Sequence, residues 1–101
     1  MDKKLSWEPY DPAWLVTLAN EQYPEDPRYA EALARCTKRS VESEGYSHFV
    51  DPTNCNKPGA EWQFDENIML ESATEGMIVL DVLKDGRIGG AEFVKKIRKD
   101  Y

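Results

Sequence analysis

The chain has 101 residues, a net charge of −6 and 41% hydrophobic residues. This length fits one domain over 1–101, and the composition is too apolar for a disordered tail. The excess of acids argues against nucleic acid as the main partner, because binding phosphates requires a basic surface. No run approaches the roughly 20 apolar residues of a transmembrane helix, so no membrane contact is expected. Glu8 and Asp11 stand where the apolar segment of a signal peptide would be, which predicts a cytoplasmic protein.

The first half of the chain carries the signals of two helices. Asp11 and Asp26 are good N-caps, and each precedes a proline, which favours the first position of a helix. Apolar residues then recur with helical period, which predicts helices over 12–23 and 27–43. Pro24 cannot continue the first helix. The short connection predicts that the two helices are neighbours in space.

After these helices the pattern changes to that of strands. Aromatic and β-branched residues predict a strand over 46–50, and a dense run of turn-forming residues predicts a loop over 51–59. The segment 61–71 alternates in part between apolar and polar residues, which indicates another strand. Glu66 breaks that alternation, which predicts a bulge or a tight turn there.

A hairpin is predicted near the C-terminus, where Asp85-Gly86 separates two apolar runs. A two-residue turn opposes Leu83 to Ile88 and then pairs Val82–Gly89, Asp81–Gly90, Leu80–Ala91, Val79–Glu92 and Ile78–Phe93. One side of this hairpin is apolar and is expected to be buried in a core. The other side, which carries Val79, Asp81, Gly90 and Glu92, is expected to be exposed to solvent. The four-residue spacing of Phe93 and Ile97 predicts a short C-terminal helix.

Together these elements predict an α+β fold. Two N-terminal helices pack on an antiparallel sheet of three to four strands, followed by a short C-terminal helix.

The hairpin segment 76–93 reads Gly-Met-Ile-Val-Leu-Asp-Val-Leu-Lys-Asp-Gly-Arg-Ile-Gly-Gly-Ala-Glu-Phe. It resembles the terminal hairpin of small bacterial proteins of the DUF2283 type, with a strand, an Asp-Gly turn and Arg-Ile-x-Gly-x-Glu. This resemblance covers under a fifth of the chain and implies no chemistry. By general character the chain also resembles immunity proteins of bacterial toxin systems, which are small and acidic. That resemblance implies an inhibitor.

The acids of the second half are segregated from the bases. No Lys or Arg occurs between Pro58 and Leu83, whereas that segment holds six acids. We expect these acids to share a surface that binds a basic protein, such as the nuclease domain of a toxin, which must present cations to phosphate. The predicted function is therefore a non-enzymatic inhibitor, an immunity protein or antitoxin. Its expected partner-binding residues are Glu61, Trp62, Asp65, Glu66, Glu71 and Asp81.

Two other functions stay open at the level of sequence. A small hydrolase or isomerase would use His48 with a carboxylate, and a deep pocket joining His48 to Asp65 or Glu66 would favour it. A structural or regulatory subunit would instead present an apolar interface. No cofactor is indicated, and the Cys and His residues are too few for a four-ligand zinc site.

Overall fold

Two helices begin where the proline signals place them. In the computed structural model, which describes residues 5–97, α1 is Ala13–Gln22 and α2 is Pro27–Ala34. Asp26 caps α2, because its carboxylate accepts a hydrogen bond from the backbone N–H of Arg28. The predicted first helix is confirmed, and the second begins at the predicted residue.

The strands form one antiparallel sheet beside these helices. In chain order they are β1 (Glu8–Pro9), β2 (Lys38–Ser43), β3 (Tyr46–His48), β4 (Phe64–Ser72), β5 (Gly76–Leu83) and β6 (Ile88–Phe93). Their spatial order is β1-β2-β3-β6-β5-β4. A short helix α3, Val94–Ile97, follows the last strand, as predicted. The α+β class is confirmed, but the sheet has six strands instead of three to four.

Two strands were not predicted. β1 lies before α1, and β2 comes from a segment that the sequence pattern assigned to the second helix. The predicted helix over 27–43 is wrong beyond Ala34, because β2 pairs with β3 in a tight hairpin. Ser40, Val41 and Ser43 of β2 are weak helix formers, so strand pairing overrides the helical spacing of the neighbouring residues. Gly45 lies in the turn, and a Cβ there would collide with Cγ1 of Ile97, so a larger residue would clash.

The predicted C-terminal hairpin is confirmed over most of its length. Four predicted pairs, from Ile78–Phe93 to Asp81–Gly90, are present between β5 and β6. The register then shifts, so that Val82 lies opposite Ile88 instead of Gly89. Crowding accompanies this shift, because a Cβ at Gly89 would lie 2.7 Å from the Trp62 ring. In β4, the irregularity predicted at Glu66 is confirmed as a register shift between Phe64 and Glu66.

The main core lies between the two long helices and one face of the sheet. It joins Leu15, Ala19, Ala30 and Leu33 of the helices to Ile68, Leu70, Ile78, Leu80, Val82, Ile88, Ala91 and Phe93 of the strands. The side of the hairpin that was predicted to be buried is therefore the side that packs in the main core. A smaller cluster of Val50, Trp62 and Leu83, with Tyr46 packed against it, is separate from the main core. We call the side of the sheet opposite α1 and α2 the outer face.

The free edge of β4 is covered by two side chains at the end of α1. The amide of Gln22 donates to the carbonyl of Glu71 at 2.7 Å and accepts from its N–H at 2.8 Å. The hydroxyl of Tyr23 does the same for Met69, at 2.9 and 3.3 Å. These side chains occupy backbone groups of β4 that a neighbouring strand would otherwise bind. They therefore hinder the pairing of this edge with another chain.

Replacing Gln22 by Ala is expected to lower the free energy of unfolding by about 1 kcal/mol, because two hydrogen bonds to the backbone of β4 are lost. Urea unfolding measures this change. Glu21→Ala, at an adjacent exposed position, is the matched control, with an expected effect within about 0.5 kcal/mol. Equal effects of the two substitutions would show that the Gln22 contacts contribute no stability.

Candidate functional site

A row of side chains crosses the outer face of the sheet. The register places Ser40, His48, Gly90, Asp81 and Asn67 opposite one another on β2, β3, β6, β5 and β4. The adjacent row of Ile68, Leu80 and Ala91 points into the main core. Because side chains alternate along a strand, the side chains of Ser40, His48, Asp81 and Asn67 point away from it. The row brings a histidine and a carboxylate onto one surface.

A hydrogen-bond network fixes the carboxylate in this row. The Tyr46 side chain lies over Gly90, where a Cβ would stand 2.6 Å from the Tyr46 hydroxyl oxygen. That hydroxyl donates to Oδ2 of Asp81, while Nδ2 of Asn67 donates to Oδ1 at 2.7 Å. Burial, followed by the contact with Asp81, raises the pKa of Tyr46 above its usual value. Tyr46 therefore stays protonated as a donor, and Asp81 is held in one orientation.

A second polar pair lies at the β2 end of the outer face. Nε2 of His48 is 2.6 Å from Oε1 of Glu42, and the His48 side chain is 9% exposed. The imidazole ring lies edge to face with the rings of Tyr46, at 4.8 Å, and Trp62, at 5.5 Å. An ionised carboxylate can only accept, so Nε2 carries the proton in this contact. Within the described residues, Nδ1 of His48 is buried without a hydrogen-bond partner.

An open cleft of about 460 Å³ lies beside this pair. His48 and Glu42 form part of its wall, and the remaining lining residues are Leu5, Ser6, Ser40, Val41 and Pro52. The cleft therefore combines apolar walls, two hydroxyl groups and one carboxylate.

Acids and exposed apolar side chains share the rest of the outer face. The carboxylates of Glu71, Asp81 and Glu92 lie on it, in addition to Glu42. Met69 is 53% exposed and Met77 38% exposed, and Val79 is half-buried. Strands β3, β4, β5 and β6 contain no Lys or Arg. The centre of the face is thus negatively charged and partly apolar.

The structure brings together two of the six residues predicted to bind a partner. Glu71 and Asp81 lie on the outer face. Glu61 lies near the turn that joins β5 to β6, where Nη1 of Arg87 is 3.0 Å from its Oε1. Trp62 is buried in the smaller cluster, so its ring packs within the protein instead of being presented to a partner.

Asp65 and Glu66 occupy a different place from the outer face. Both line a small cleft of about 110 Å³ together with Arg28 and Lys84. The hydroxyl of Tyr29, on α2, donates to Oε2 of Glu66 at 3.2 Å. The pocket that would join His48 to either acid is therefore not formed, and Glu42 takes the position beside His48 instead.

The acids are separated because alternation along β4 and the turns at its ends send neighbouring residues in different directions. The one remaining acid of the segment, Glu75, lies in a turn, with Nζ of Lys96 3.9 Å from its Oε1. The sequence pattern missed Glu42, because it assigned that residue to a helix. Glu92 carried a usable signal, since the predicted hairpin register already placed it on the water-facing side.

No protein-family model, curated protein or solved structure matches the chain. The resemblances to DUF2283-type and immunity proteins therefore stay predictions. None of the helices within residues 5–97 has the length and apolarity needed to cross a membrane. Over the same residues, no three His, Cys, Asp or Glu side chains gather closely enough to hold a metal ion.

Tyr46→Phe is expected to lower the free energy of unfolding at pH 7 by about 1–2 kcal/mol, because the Asp81 carboxylate loses a donor. The pKa of Tyr46 is raised in the folded state. Its contribution is therefore complete below pH 10, near the pKa of an unfolded tyrosine, and is lost as the pH rises further. Urea unfolding between pH 7 and 11 should show the gap between wild type and variant narrowing above pH 10. A gap that stays constant would contradict this role.

Proposed function

We propose that the protein binds a basic protein through the outer face of its sheet and acts as a stoichiometric inhibitor of the immunity or antitoxin type. The observation that carries the proposal is the combination of carboxylates and exposed apolar side chains on one sheet face. The contact residues proposed are Glu42, Tyr46, Asn67, Met69, Glu71, Met77, Val79, Asp81 and Glu92.

The apolar part of the face supports a binding role. An antiparallel sheet that is covered on one side normally presents polar residues on the other. Here Met69 and Met77 are exposed on neighbouring strands, next to Val79. Methionine side chains are flexible and polarizable, which suits surfaces that adapt to a partner. Burying them against a partner would slow dissociation of the complex.

The carboxylates support a basic partner. Four acids on a face where β3, β4, β5 and β6 lack Lys and Arg would attract a cationic surface over long range and speed its encounter. Two of these acids are already oriented, Asp81 by Tyr46 and Asn67, and Glu42 by His48. Such preorganisation reduces the side-chain entropy that is lost on binding.

A nuclease toxin is the partner class that this chemistry fits best. A nuclease needs a cluster of cations to hold the phosphates of its substrate. A rigid face of carboxylates can occupy that cluster and exclude the nucleic acid, which gives inhibition without any catalytic step by the inhibitor.

The double substitution Glu71→Lys and Glu92→Lys is expected to slow association with the basic partner by about ten-fold or more at low salt, because it replaces two negative charges of the outer face by positive ones. The partner is first captured from a lysate of the source cells on immobilised wild-type protein. Association rates of the purified partner are then measured at low and high salt.

The matched control is Glu21→Lys with Glu31→Lys, which makes the same change of charge at exposed positions on α1 and α2. The control should keep an association rate within about two-fold of the wild type, since its charges lie on the helices and not on the outer face. Equal slowing by both double variants would reduce the effect to net charge and overturn the proposed surface.

The exposed methionines also favour a second candidate, a structural or regulatory subunit with an apolar interface. In that case Met69→Ser with Met77→Ser would speed dissociation of the captured partner. The charge reversals at Glu71 and Glu92 would leave its association rate unchanged. Because the methionine substitutions would speed dissociation under either candidate, the association rate of the charge-reversed variant separates the two.

A further inference from the structure

We infer that the cleft beside His48 receives a lysine side chain of the partner, with the ammonium group contacting Glu42. This inference rests on the proposed function, since the lysine belongs to the partner that docks on the outer face. It adds a defined anchor point at the β2 end of that face.

The lining of the cleft matches the two parts of a lysine side chain. Leu5 and Pro52 provide apolar surface for the aliphatic stem. The hydroxyl groups of Ser6 and Ser40 and the carboxylate of Glu42 provide oxygen acceptors. An ammonium group has three donors, so it suits several oxygens that converge from different directions.

The charge beside the cleft favours a cation. The Glu42 side chain is 62% exposed although His48 holds its Oε1, so the carboxylate is oriented but still accessible. Asp51 precedes the lining residue Pro52, and its carboxylate accepts hydrogen bonds from the N–H and hydroxyl of Thr53. These bonds lower the pKa of Asp51, which keeps a second negative charge near the cleft.

The geometry favours lysine over arginine. A guanidinium binds a carboxylate best through two parallel hydrogen bonds, one to each oxygen. His48 already contacts Oε1 of Glu42 at 2.6 Å, which hinders such a paired contact. An ammonium group needs only a single oxygen from Glu42 and can use the serine hydroxyls for its other donors.

The basic residues of β2 have other partners. Nζ of Lys38 lies 5.5 Å from the centre of the Trp7 ring, and Nε of Arg39 lies 2.7 Å from Oε2 of Glu8. Neither side chain lines the cleft. An incoming cation therefore does not have to displace Lys38 or Arg39 from Glu42.

The test uses Nα-acetyl-L-lysine-N-methylamide as the probe for a lysine side chain. The full-length protein is titrated at constant ionic strength, and ¹H–¹⁵N spectra follow the amides of Val41, Glu42 and His48. Saturable shifts are expected with the lysine probe and weaker binding with its arginine analogue. The norleucine analogue, which has the stem without the charge, should give no saturation.

Glu42→Gln is expected to weaken binding of the lysine probe about ten-fold, since a charge-assisted hydrogen bond is lost. Glutamine keeps an oxygen for the proton on Nε2 of His48, so the variant should fold. Glu31→Gln, at an exposed position on α2, is the matched control with unchanged affinity expected. Equal affinity of wild type and Glu42→Gln would overturn the inference, as would lysine binding that does not saturate or is matched by norleucine.

This test fails separately from that of the proposed function. One outcome is that charge reversal at Glu71 and Glu92 slows association of the captured partner while the lysine probe does not saturate. This outcome would support binding through the outer face and overturn the lysine anchor. The other outcome is that binding of the lysine probe saturates and depends on Glu42, while the charge reversals leave partner association unchanged. This outcome would support the cleft as a lysine site and overturn the proposed role of the outer face.

Discussion

β3 and β6 run antiparallel, with Ser47 opposite Ala91 and His48 opposite Gly90, and this pairing joins the two halves of the sheet. It requires a very close approach, because a Cβ at Gly90 would lie 2.8 Å from the carbonyl oxygen of Ser47. The absence of a side chain at Gly90 also makes room for the Tyr46 ring. The contact that closes the sheet is therefore the same contact that places the Tyr46 hydroxyl on Asp81.

This junction gives the two sides of the sheet different roles. On one side, small and branched residues of β5 and β6 pack against α1 and α2 and supply most of the buried apolar surface. On the other side, the smaller cluster around Trp62 is buried and covers the end near Gly89, and Ser40 and His48 are buried polar residues. The rest of the outer face keeps its acids and methionines accessible, because α1 and α2 are both used on the opposite side.

Two of the acids on the outer face, Asp81 and Glu42, are held by neighbouring side chains. Tyr46 and Asn67 both donate hydrogen bonds to the carboxylate of Asp81. Glu42 contacts His48, whose ring lies edge to face with the rings of Tyr46 and Trp62. A face of this kind is suited to recognition by complementary charge, because its acceptors do not need to be ordered by the partner. The cleft at its β2 end adds a place where one long cationic side chain can enter. The proposed inhibitor would thus combine broad attraction with a specific anchor.

Local sequence determined the features that depend on neighbours along the chain. The proline signals located the start of both helices to within one residue, the Asp85-Gly86 signal located the turn between β5 and β6, and the loss of alternation marked the irregularity at Glu66. These features follow from turn chemistry and side-chain periodicity, which act over a few residues.

Tertiary structure decided the strand character of β2 and the composition of the candidate site. The backbone of segment 38–43 forms hydrogen bonds with β3. The helical spacing of neighbouring residues does not reveal that strand pairing competes with helix formation there. The same pairing places Glu42 beside His48. Asp65 and Glu66 line a different cleft, because side chains alternate in direction along β4. Glu66 and Glu71 lie on the same strand but on opposite faces of the sheet, whereas Tyr46 and Asp81, 35 positions apart, are in contact. The physical reason is that strand pairing, and not distance along the chain, determines which side chains share a surface.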